Sequence, residues 1–158
     1  MPLINIFHWF EATSIGTFGR RSAYFFPAVE VVHLLGLTLL LGTVLVLNLK
    51  LMSVIMPHQS VSQIARATTP LLLIGAGLAL ASGLLLFLSE AVKCYYNTAF
   101  WYKMALLSFG IVFQLAVQPK LAKTAASSAS TGLLKCTAAA ALTLWFGVAI
   151  AGRAIAFV

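Results

Sequence analysis

Charge is scarce in this chain. Aspartate, glutamate, lysine and arginine make up 8% of its 158 residues, against about 25% in a soluble domain. Hydrophobic residues reach 61%, where a soluble domain holds about 45–50%. A water-soluble globule of this composition has too little polar surface to cover itself. Disorder is excluded by the same numbers, because a chain stays unfolded when it has little apolar surface to bury. The composition implies a polytopic membrane protein forming one domain over residues 1–158.

Acidic residues are the rarest charged class. Three face ten lysines and arginines, for a net charge of +7. In a soluble protein that excess would suggest nucleic acid. Here the basic residues lie between apolar runs, where they set topology and attract anionic headgroups. No basic stripe with interleaved aromatics is present, so nucleic acid is rejected as a partner. The expected partners are the lipid bilayer and a membrane subunit or second copy. Cysteines number two, Cys94 and Cys136. The topology below puts them at opposite membrane faces, too far apart for a disulfide. There is no Cys-x-x-Cys or zinc spacing. A cleavable signal is not expected, since residues 1–26 carry Glu11 and end in basic Arg20-Arg21, the reverse of the required order.

Four apolar runs remain, at about 27–49, 70–88, 99–117 and 133–158. Each approaches the roughly 20 residues that cross a bilayer core. Backbone hydrogen bonds must close within each segment in lipid, so all four are predicted helices. The expected fold is an all-α integral membrane four-helix bundle. Residues 3–10, rich in Trp and Phe, are read as a short N-terminal helix at the interface or packed on the bundle. Pro27 and Pro70 are placed in first turns. Ser60-Val-Ser-Gln63 reads as a capping box, so a short helix is expected to precede Pro70 and run into the second span. Pro119 is expected to close the third span, and residues 124–132 form a small polar loop. The loops after spans one and three hold Lys50, Arg66, Lys120, Lys123 and Lys135, and the other face holds Arg20, Arg21 and Lys93. That bias predicts a bacterial inner-membrane protein with both termini periplasmic.

With alternating spans, every deeply placed ionisable residue falls in the outer half. Glu30 and His33 share a face of span one at i and i+3. Lys103 begins span three, and Arg153 lies near the end of span four. Lys103, Gly110, Gln114 and Gln118 form one stripe at helical spacing. Gly75, Ala79, Ser82 and Gly83 make a small-residue face suited to close helix approach. Charges inside a span are costly and normally pair, so Glu30 is expected to meet Lys103 or Arg153.

An imidazole inside a membrane bundle is the usual haem iron ligand. The site expected here is a b-type haem or quinone-linked redox centre with His33 as axial ligand. Glu30 would accept the second ring N–H, and Gly36 would leave room for a planar group. Lys103, Arg153, Arg20 and Arg21 are candidate partners for the propionates. His8 and Met104 are candidate second ligands, whereas His58 lies at the wrong face. Two other readings compete: a non-enzymatic accessory subunit with a structural charge cluster, and a proton or ion pathway.

His33 in helix one, Thr69-Pro70 opening helix two and Trp101-x-Lys103 opening helix three resemble HemJ-type membrane protoporphyrinogen oxidases and copper-resistance-D-like proteins. That resemblance implies a small helical bundle, haem b, and importance for His33 and Lys103. The chain is more closely similar to a bacterial four-helix membrane family of unknown function. The shared residues are Trp9-Phe10-Glu11-Ala12-Thr13, Pro27 with Glu30 and His33, Lys103-Met104-Ala105-Leu106, and Ala151-Gly152-Arg153. One departure stands out: Gln118 occupies a position where many of those relatives carry histidine.

Overall fold

In a computed structural model, which describes residues 2–116, 131–155 and 157, seven helices are present among the described residues. They are α1 (Pro2–Glu11), α2 (Ser14–Arg21), α3 (Phe25–Leu51), α4 (Val61–Ser89), α5 (Ala91–Tyr96), α6 (Thr98–Ala116) and α7 (Thr131–Ala154). Three stretches are long and apolar enough to cross a membrane: α3, α4 and Gly132–Ala154 of α7. The chain is an all-helical membrane protein. The expected fourth span corresponds to α6, which falls outside that set of three. The described part of this helix ends at Ala116, where the described residues stop. It also carries Lys103 and Gln114. Pro119, Gln118 and the expected loop lie outside the described residues.

Pro27 sits in the first turn of α3, as expected. Pro70 does not open a helix. It lies inside α4, which runs unbroken from the Ser60 cap. The capping box is formed: Gln63 N donates to Ser60 Oγ at 3.2 Å, and Ser60 N donates to Gln63 Oε1 at 2.9 Å. Directly before the proline, Thr68 and Thr69 donate their hydroxyls to the carbonyls of Ile64 and Ala65, at 2.9 and 2.6 Å. Pro70 has no N–H for the Arg66 carbonyl four residues back, and these two bonds go to the neighbouring carbonyls.

Between apolar helices in lipid, close packing replaces the hydrophobic effect as the driving force. The α3–α4 pair shows it. A Cβ added at Gly75 would lie 2.7 Å from Leu40 N, and one at Gly36 would lie 2.7 Å from Ala79 N. Both glycines are therefore required by the approach of the two backbones. α3 also packs on α7, and α7 on α6, giving the order α4–α3–α7–α6. The core sits on this row at Leu40, Val44 and Trp145. Among the described residues α4 and α6 are not packed along their lengths. They meet where Phe87 and Phe100 stack at 5.8 Å.

The N-terminal segment forms a helical hairpin against that end of the row. Phe7 is 8% exposed and packs on Phe87, Tyr95 and Trp101 at 5.6, 5.1 and 6.1 Å. Leu3, Ile6 and Trp9 on the rest of α1 stay exposed. A charged clamp closes the hairpin. Arg20 Nη1 lies 2.9 Å from Glu11 Oε1, and Arg20 Nη2 donates to the Glu11 carbonyl at 2.9 Å. Glu11 Oε2 accepts from Val92 N at 3.3 Å, which satisfies a free amide in the first turn of α5. Thr13 caps α2 through Gly16 N. The Trp9-Phe10-Glu11-Ala12-Thr13 segment thus has a structural use: it builds and anchors this hairpin.

Candidate functional site

The polar groups gather just beneath the aromatic end. The antiparallel register that sets Leu40 beside Gly75 and Gly36 beside Ala79 also sets His33 beside Ser82. His33 Nδ1 and Ser82 Oγ are 3.1 Å apart. Ser82 donates its single hydroxyl proton to the Leu78 carbonyl. Its oxygen is therefore the acceptor, and His33 Nδ1–H the donor. This assigns the tautomer: Nε2 carries the lone pair. A Cβ at Gly83 would stand 3.0 Å from His33 Cε1, so this glycine leaves room for the ring.

Lys103 reaches the same region from α6. Its Cδ, Cε and Nζ run 3.6, 3.5 and 3.6 Å from where a Gly152 Cβ would lie. Its ammonium is within electrostatic reach of His33 and of Cys94 on α5. The predicted stripe on α6 does face α7. Gly110 lies against Trp145, and Trp145 Nε1 donates to Gln114 Oε1 at 3.3 Å.

Other expected site residues are placed differently. Glu30 is exposed on α3. It lies about 60° around the helix from His33, off the face that meets α4, so Ser82 rather than Glu30 is the imidazole's partner. Glu30 joins neither ion pair found among the described residues, which are Arg20–Glu11 and Lys93–Glu90 at 2.9 and 3.1 Å. The expected Glu30 pairing with Lys103 or Arg153 is thus not formed. Arg153 is exposed and stacks on Phe157, 4.9 Å from the ring centroid. Arg20 is occupied by Glu11. The room expected beside Gly36 is filled by α4 itself. His8, His58 and Met104 are all exposed. His8 neighbours the buried Phe7 but points about 100° away from it.

Ser82 is the residue that sequence reasoning missed as a partner. Its signal was present. His33, Gly36 and Leu40 have the same spacing as Ser82, Ala79 and Gly75 read backwards, the mark of an antiparallel pair in register.

Cys94 and Cys136 are both free. Burial pushes the Cys94 thiol up to about 11, with Glu90 and Glu11 adding to the rise and Lys103 and Lys93 opposing it. Only the thiolate is nucleophilic. At pH 8 a thiol titrating at about 11 is ionised to roughly one part in a thousand. Alkylation of Cys94 in the folded protein, followed by mass spectrometry, is expected to be at least a hundredfold slower than in the unfolded chain. It should rise about tenfold per pH unit toward 11. Equal rates in folded and unfolded protein would contradict this environment.

The family model described as a family of unknown function, DUF6644, matches residues 6–158. No curated protein and no solved structure matches the chain.

Proposed function

The chain belongs to DUF6644, and from the geometry at His33 we propose that it is a b-haem-binding membrane protein with a single protein axial ligand. The observation that carries this reading is the bond from His33 Nδ1–H to Ser82 Oγ, which leaves Nε2 as the lone-pair nitrogen. A metal-ligating imidazole normally has its other nitrogen held in this way. Among the described residues no group of three or more His, Cys, Asp or Glu is placed to hold a bare metal ion. A haem needs only one such ligand, because the porphyrin supplies the other four nitrogens. Bound haem would supply one-electron transfer or small-ligand binding at its open position. Ser82 fixes the ring, Gly83 makes room for the imidazole itself, and Lys103 is the cation within reach for a propionate. His8 and Met104 are both exposed, so His33 is the residue that would hold the iron in this reading.

In this reading α6 is the fourth span, and both termini are periplasmic in a bacterial inner membrane. The excess of loop Lys and Arg supports that orientation. A second reading is favoured by one observation. Glu30 is an exposed acid on a membrane-crossing helix, without an ion pair among the described residues. Such a group suits a partner subunit that brings a cation, and then the chain is a non-enzymatic accessory subunit.

Ser82→Ala tests the haem reading. It removes the tautomer-fixing acceptor but not the ligand. Haem should still bind, with affinity reduced about 10–100-fold, as for other losses of an outer-shell partner. Spectroscopic haem titration of the purified apo-protein measures this. Unchanged affinity would remove Ser82 from the site.

A further inference from the structure

Between α3 and α4, Leu35, Leu39, Gly42 and Val46 of α3 and Leu71 and Leu78 of α4 line an open groove of about 610 Å³. Thr38, Thr43 and Thr68 also line it. Each turns its hydroxyl to its own helix, donating to Leu34, Leu40 and Ile64 carbonyls at 2.8, 2.8 and 2.9 Å. The groove therefore has no free hydroxyl proton to offer a polar ligand. From Leu35 to Val46 it extends about 17 Å, roughly half of a 30 Å hydrocarbon core. A second membrane helix would need a face of full core length. One acyl chain of one leaflet needs half.

Beyond the lining residues, toward the α3–α4 loop, two basic residues follow. Lys50 lies one turn beyond Val46 on the same face of α3. It is buried, and its ammonium donates to the Met56 carbonyl at 2.6 Å. An ammonium has three N–H donors, and no carboxylate pairs with this one among the described residues. The loop is held around Lys50 with Ser53 and Met56 at φ 61° and 51°, a conformation non-glycine residues seldom adopt. Arg66, exposed near the start of α4, adds a second cation at that end.

We propose that this groove binds one acyl chain of an anionic phospholipid, with the headgroup phosphate at Lys50 and Arg66. The site is separate from His33 and independent of what binds there. Native mass spectrometry of the full chain in detergent, with phosphatidylglycerol or phosphatidylcholine of matched chains, tests it. The wild type should retain one phosphatidylglycerol at least tenfold better than phosphatidylcholine. Lys50→Gln with Arg66→Gln should erase that preference, and Arg66→Gln alone, at an exposed position, should weaken it several-fold. Gly42→Leu should fill the groove and lose both lipids with an unchanged melting temperature, because nothing lies within 4 Å of a Gly42 Cβ. Equal retention of the two lipids by the wild type would overturn the proposal. So would a Gly42→Leu protein that holds phosphatidylglycerol like the wild type, or one whose only change is its oligomeric state.

Discussion

His33→Ala is expected to abolish haem binding while the protein still inserts and folds. The ring is the only imidazole among the described residues that lies within a helix able to cross the membrane. Losing it removes the hydrogen bond to Ser82 and the ring's contact with the Ala79 backbone, at a net cost of about 0.5–1.5 kcal/mol for each bond. Ser82 is not stranded, because its hydroxyl still donates to Leu78. α3 also becomes more apolar. Haem content by pyridine haemochromogen assay should fall to background, and the melting temperature should shift only slightly. His58→Ala, at an exposed position, should change neither. Full haem retention by His33→Ala would end the ligand assignment and favour the accessory-subunit reading.

The largest expected loss of stability is at Gly75→Leu. Its Cβ alone would stand 2.7 Å from Leu40 N, 3.0 Å from Gly36 O and 3.1 Å from Leu40 Cα. All three are backbone atoms, so no rotamer change relieves the clash. α3 must move off α4, and Leu40 carries the Val44–Trp145 core with it. The cost should reach at least the upper end of the overpacking range, about 3 kcal/mol. Gly77→Ala on the same helix is the control. Nothing lies within 4 Å of its Cβ, and replacing a mid-helix glycine typically gains about 0.5–1 kcal/mol. Thermal unfolding of both variants in one detergent should therefore show opposite shifts. Equal, small shifts would mean that α3 and α4 do not pack in this register.

Much of this arrangement was legible in the sequence because membrane helices leave few options. Apolar run length located α3, α4 and α7. The small-residue face of Gly75, Ala79 and Ser82 and the stripe from Lys103 to Gln114 each turned toward a neighbouring helix. What escaped was which neighbour each face met. Glu30 and His33 share a helix face by spacing, yet about 60° separates them, enough to turn one toward Ser82 and leave the other exposed. Gly36 reads equally well as space for a ligand or space for a helix, and only the position of α4 decides it. Pro70 reads as a helix start, yet α4 runs through it from the Ser60 cap, and local spacing alone does not separate the two. The Glu11–Arg20 clamp joins residues on two different helices, so no single-helix periodicity points to it.

The central claim is that His33 holds a haem, and the visible absorption spectrum of the wild-type protein tests it most directly. The full chain would be expressed with haem in excess and purified in mild detergent. A Soret band with about one haem per chain, shifting on reduction and absent from His33→Ala, is the predicted result. A colourless wild-type protein from haem-replete cells, folded by circular dichroism, would contradict the account.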